Sequence, residues 1–149
     1  MNAKKRLNNK SGFTLLEIII VIIIIGVLAS LALPKLFAMV EKSKSTEALA
    51  AMGSIRSALE RCALAKGNSY VGCDLWTELD MADPTTQPGS HFDYTFPAAP
   101  VAWTATTYSI LATRNASDGG ASLVPIPTIT VYYDATGAHK TGTGIYQGI

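Results

Sequence analysis

The chain has 149 residues, 48% of them hydrophobic and 15% charged, with a formal charge of +1. That length suits one modest domain with an apolar appendage. The near-neutral balance gives no electrostatic case for nucleic-acid binding. Two cysteines and two distant histidines, His91 and His139, make no recognised metal-ligand set.

Residues 1–12 form a basic leader, with Lys4, Lys5, Arg6 and Lys10 and no acidic residue. Positive charge ahead of an apolar helix keeps the leader in the cytoplasm and sends the C-terminal part of the chain to export. Without those four cations the remaining chain is mildly acidic. From Phe13 to Leu33 the sequence is almost wholly Ile, Val, Leu and Ala, long enough to cross a bilayer as one helix. Its single ionisable group is Glu17. A carboxylate costs roughly 2.5–3.5 kcal/mol at a bilayer centre, so Glu17 is expected to have a partner. A secretory signal peptide also starts with positive charge, and a small-residue site can be imagined near Ala29-Ser30-Leu31. However, the apolar run is longer than a usual signal core, and Gly12 stands before it instead of after it.

Gly26 and Pro34 are weak points of this helix. Proline removes one hydrogen bond and crowds the preceding turn at the Ser30 carbonyl. Beyond Pro34 the composition favours continued helix to Lys66, being rich in Ala, Leu, Glu, Lys and Arg. Ala48, Met52, Ile55, Leu59 and Cys62 recur at steps of four and three, which places them on one face. The first part of the helix is thus apolar all round and the second is amphipathic. Gly67-Asn68 is the expected stop, since both residues tolerate the left-handed conformation.

After a connector, Asp74 is expected to cap a short helix whose buried side is Leu75, Trp76 and Leu79. Asp83-Pro84 and Gln87-Pro88-Gly89 mark turns. Residues 91–96, 106–113 and 128–133 read as strands, and a turn at Asp134-Ala135-Thr136-Gly137 leads into a fourth over 138–141. Short connections favour an antiparallel meander, one face of which needs cover. The helix stripe ending at Cys62 is the available partner. The fold class is therefore α+β, one long N-terminal α-helix packed on a small antiparallel β-sheet. Trp103, Tyr108, Tyr132 and Tyr133 are expected to fill the core.

Cys62 and Cys73 allow a single intramolecular pairing, in a compartment that permits disulfides. The alternative is two buried thiols. A bridge would close a loop of about a dozen residues, worth up to ~3 kcal/mol. The loops at Ser117-Asp118-Gly119-Gly120 and Tyr133–Gly137 offer oxygens to calcium, though aspartates at turns are commonly plain turn formers. No cofactor is expected, and no Ser/His/Asp order carries a nucleophile motif. Asn115-Ala116-Ser117 is a glycosylation triplet of the kind that recurs by chance.

The series Gly12-Phe13-Thr14-Leu15-Leu16-Glu17, with the basic leader before it, the apolar helix after it and Pro34 at its end, resembles the type IV pilin family, including the pseudopilins of type II secretion. The resemblance covers about the first third of the chain. It implies cleavage between Gly12 and Phe13 by a prepilin peptidase, methylation of the new Phe13 amine, and an assembly role for Glu17. It also implies loss of helical order between Gly26 and Pro34 in the filament. The implied organisation is a cleaved leader (1–12), a transmembrane and filament-core helix (13–34), and an amphipathic half-helix with an exported β-rich head (35–149). Before assembly the protein would be a single-pass protein of the inner membrane that engages a membrane assembly platform. Afterwards it would be a subunit of a homo-oligomeric helical filament, either an extracellular pilus or a periplasmic pseudopilus. In many type IV pilins a disulfide staples the C-terminal region to the sheet, whereas both cysteines here lie in the first half. A periplasmic binding protein on an uncleaved anchor would explain the anchor and head but not the placement of Gly12, Phe13 and Glu17. An anchored enzyme lacks a catalytic set.

Overall fold

The computed structural model describes residues 12–98, 100–117, 119–120, 123 and 125–148. The leader cations and Asp118 of one candidate calcium loop lie outside these residues. The chain divides into two units, Met1–Phe37 and Ala38–Ile149, and helix α1, Leu15–Ala65, contributes to both.

In the first unit α1 passes through Gly26 and Pro34 as continuous helix. Every large apolar side chain from Leu15 to Phe37 is exposed. No described residue of the unit covers them, and a helix that is apolar all round needs lipid or other helices around it. This segment is long and apolar enough to cross a membrane.

In the second unit α1 buries Ser45, Ala48, Met52, Ile55, Ala58, Leu59, Cys62 and Ala63. This is the stripe expected from the spacing, widened by three small residues, Ser45, Ala58 and Ala63. The helix ends in a Schellman motif: the Gly67 N–H donates to the Leu64 carbonyl at 3.3 Å and the Asn68 N–H to that of Ala63 at 2.8 Å. Both residues have positive φ, 71° and 64°, which is why a glycine and an asparagine serve there.

Beyond the connector the described residues form four strands: β1 Phe92–Thr95, β2 Tyr108–Arg114, β3 Thr128–Asp134 and β4 Gly137–Gly142. They form one sheet in the order β1-β2-β3-β4, with every pair antiparallel. The register places Phe92 opposite Arg114, Tyr94 opposite Ala112, and Ala112 opposite Ile129. Alternation then puts Phe92, Tyr94, Tyr108, Ile110, Ala112, Arg114 and Ile129 on the buried face. Together with the α1 stripe they make the core. The sheet's aromatic end is a run of ring contacts: Trp76 with Phe96 at 4.6 Å, Phe96 with Trp103 at 5.7 Å, and Tyr108 stacked on Tyr133 at 5.8 Å.

Some local expectations need correction. Asp74 caps nothing: the turn it was expected to start is a 3-10 segment, Trp76–Glu78, preceded by Leu75 with no side-chain cap. Three residues offer too short a helix to bury a full side, so Leu79 is buried while Leu75 is 58% exposed. Capping occurs instead at Asp83, whose carboxylate accepts from the Thr85 N–H at 2.8 Å. Tyr132 is not part of the core. It points to the opposite face of β3 and stacks on His139 at 4.8 Å.

Candidate functional site

Gly12, Phe13 and Thr14 stand before the first turn of α1 and are exposed. A side chain built on Gly12 would meet no atom within 4 Å, so the Gly12–Phe13 bond is open to an approaching enzyme. Phe13 is 83% exposed.

The start of the helix is a capping box. Oε2 of Glu17 accepts from the backbone N–H and from the hydroxyl of Thr14, each at 2.8 Å. In return the Glu17 N–H donates to Thr14 Oγ1 at 3.2 Å. Donors that the helix itself leaves unpaired are thereby satisfied, and the negative charge sits at the positive end of the helix dipole. Thr-x-x-Glu just before an apolar run is legible in sequence, and the expected partner of Glu17 is found there, in its own turn. The bond to Gly12 is intact here, so the Phe13 nitrogen is a peptide nitrogen and Glu17 finds its partners within its own turn. Gly26 and Pro34 lie further along the same helix, away from this cluster in sequence, and the Ser30 hydroxyl donates to the Val27 carbonyl at 2.8 Å.

Within the second unit, Cys62 and Cys73 are joined by a disulfide, with their Cα atoms 6.1 Å apart. It ties the last turns of α1 to the connector. Ion pairs support the same region. Arg61 grips Asp80 with two bonds, at 2.7 and 2.6 Å. Lys66 reaches both Glu78 and the Gly72 carbonyl. These groups are largely exposed, and such pairs are worth little singly.

A different pair lies at the other end of the core. Arg114 is the largest fully buried side chain. Its Nε donates to Glu41 Oε2 at 2.9 Å and its Nη1 to the His91 carbonyl at 2.8 Å. The guanidinium lies 5.8 Å from the Phe92 ring centre. Glu41 also receives Lys44 at 2.8 Å. The Arg114 hydrogen bond holds the Glu41 carboxyl below its ordinary range, against a smaller opposing effect of burial. Tyr146 closes this end, fully buried with its ring 5.8 Å from that of Phe92. Burial pushes its phenol up to about 12. Sequence reading stopped β2 at Thr113 and so missed Arg114. The alternation Tyr108, Ile110, Ala112 was the available signal, and one step further puts Arg114 on the buried face.

At the β3–β4 turn, Asp134 Oδ1 accepts from the Thr136 N–H at 2.7 Å and its hydroxyl at 2.6 Å, and lies 3.1 Å from His139 Nε2. The Thr136 bonds, the hydroxyl's first, lower the Asp134 carboxyl from its usual range. Among the described residues no group of three His, Cys, Asp or Glu could hold a metal ion.

A family model described as "Prokaryotic N-terminal methylation motif" matches residues 7–33. The chain is 42% identical over 77 residues to "Type II secretion system core protein G" of Pectobacterium carotovorum subsp. carotovorum, covering 52% of this chain and 49% of that one. It is 33% identical over 87 residues to "Type IV major fimbrial protein FimA" of Dichelobacter nodosus, covering 58% and 54%. A "Probable minor fimbrial protein" of Dichelobacter nodosus is 48% identical over 61 residues, 41% of this chain and 38% of that one. The chain thus spans about half the length, or less, of the curated relatives it matches. No solved structure matches it. This chain thus carries the prokaryotic N-terminal methylation motif and is similar, over about half its length, both to type II secretion core proteins and to type IV fimbrial proteins.

Proposed function

We propose that this protein is a structural subunit of a type IV pilus-like filament and performs no catalysis. The observation that carries the reading is the start of α1. An open Gly12–Phe13 bond stands directly before a capped helix whose large apolar side chains from Leu15 to Phe37 are all exposed. A prepilin peptidase cuts that bond on the cytoplasmic side, and the new Phe13 amine is methylated. Until assembly the segment 13–34 spans the inner membrane, with the second unit exported. Subunits then leave the bilayer through a membrane assembly platform, and their helices replace lipid contact by close packing.

In the filament the carboxylate of Glu17 meets the Phe13 amine of an adjoining subunit. An unpaired charge among apolar helices costs several kcal/mol, so this pair draws each incoming subunit into register. The stretch from Gly26 to Pro34, where proline already removes a hydrogen bond, loosens on assembly.

The second reading, a pseudopilin of a secretion system, is favoured by the 42% identity to a type II secretion core protein. Electron microscopy of sheared surface filaments, with peptide identification and N-terminal sequencing, tests both. Surface filaments of this chain beginning at methylated Phe13 support the pilin. The same N-terminus on protein that stays in the periplasmic and membrane fraction supports the pseudopilin. Protein that begins at Met1 or beyond Ala29 defeats both.

A further inference from the structure

Helix α1 and the loop before β1 enclose a depression of about 280 Å³, whose walls include Glu47, Ala51, Pro84, Gln87, Pro88 and Tyr94. Among the described residues Glu47 is its one charged wall residue. Its carboxylate is held in place: Oε1 accepts from the His91 N–H at 3.1 Å, and Oε2 lies 2.5 Å from His91 Nδ1. Those bonds orient the group but cancel its charge only when the imidazole is protonated. The two prolines, Ala51 and the Tyr94 ring give it apolar surface, and Gln87, Gly89 and Ser90 make up the rest of the wall. An anionic group in a hollow of mixed polar and apolar surface fits a positive charge on a flexible methylene stem, which is the chemistry of lysine.

The sheet order sets where such a lysine stands. β1 forms one edge, and its side is covered by the loop over the depression, with the Tyr94 N–H donating to Thr85 Oγ1 at 3.0 Å. β4 forms the opposite edge and carries Lys140, exposed and opposite Val131 in register. Among the described residues Lys140 makes no ion pair, whereas its neighbour His139 is engaged by Asp134 and Thr136. One edge of the second unit thus offers an anionic socket and the other a free cation. Opposite edges cannot meet within one molecule. Between copies they meet in a heterologous contact, which builds a filament when its rotation does not close into a ring.

We infer that the depression at Glu47 receives the Lys140 side chain of a second copy of this chain. The inference rests on the filament reading and specifies a contact between the exported units that accompanies helix packing.

The test uses native filaments and a water-soluble carbodiimide, which joins a carboxylate to an amine in contact with it. Digestion and mass spectrometry should identify Glu47 linked to Lys140 in filaments and not in membrane-held subunits before assembly. Lys140→Glu should lower filament yield by about tenfold, the effect of ~1.4 kcal/mol at one contact. Adding Glu47→Lys should restore it. Glu47 joined to Lys42 in place of Lys140, filaments lacking any Glu47–Lys140 product, or wild-type filament numbers from Lys140→Glu would each overturn the contact. In the last case Lys140 merely guards an open sheet edge. The filament reading survives all three outcomes. It fails separately if the unaltered chain forms no filament, and the contact falls with it.

Discussion

The amide and the hydroxyl of Thr14 donate to the same oxygen of Glu17, at 2.8 Å each. The carboxylate in the apolar helix therefore has partners before any cleavage, and its charge is stored at the helix start, where the dipole favours it. Cleavage would place a new cation, the Phe13 amine, one residue before this box.

Capping and charge can be separated at Glu17. Glu17→Gln keeps an oxygen able to accept from Thr14 but removes the charge, while Glu17→Ala removes both. Loss of a cap costs only about 1 kcal/mol, so membrane insertion and processing should survive in both variants. Filament number should fall in Glu17→Gln as far as in Glu17→Ala, counted by electron microscopy. Normal filaments in Glu17→Gln would reduce the residue to a cap.

Gly12→Val should leave the fold unchanged, because the added side chain meets no atom within 4 Å. It should nevertheless block processing by obstructing the peptidase. Intact-mass measurement should then find the uncut chain, whereas the parent should begin at Phe13 with one added methyl group.

Reduction of the Cys62–Cys73 bridge should weaken the second unit by up to ~3 kcal/mol, because it frees a short loop in the unfolded chain. Non-reducing peptide mapping should recover the linked pair from exported protein. Cys73→Ser should increase protease cutting near Gly67, where the helix stops, and leave membrane insertion intact.

The pair Glu41–Arg114 should be the costliest polar contact to break. Glu41→Gln removes the carboxylate that the buried Arg114 Nε donates to, and removing one partner of a buried pair costs roughly 3–5 kcal/mol. A double change, Glu41→Leu with Arg114→Met, should recover much of that loss, as read by thermal unfolding of the full chain in detergent. Because the folded carboxyl titrates below its ordinary value of 4.5, its contribution is complete above that pH. It is lost as pH falls through the lower folded value. Acid unfolding of Glu41→Gln should therefore lack part of the pH dependence that the parent shows below about pH 4.5.

The sequence by itself determined the organisation along the chain: a basic leader, an apolar segment with one carboxylate, an amphipathic stripe and four alternating strands. It did so because these features are local, carried by runs, three-and-four spacings and turn residues such as Gly67-Asn68. The box at Thr14 and Glu17 was equally local and equally legible. Only the tertiary structure decided that Arg114 lies inside, that Glu41 answers it from 73 residues away, and that the sheet runs β1 to β4 with Glu47 at one edge and Lys140 at the other. An arginine reads as exposed until a strand's register points it into the core. No pattern along the chain states which distant carboxylate will meet it, because that choice depends on how α1 lies across the sheet.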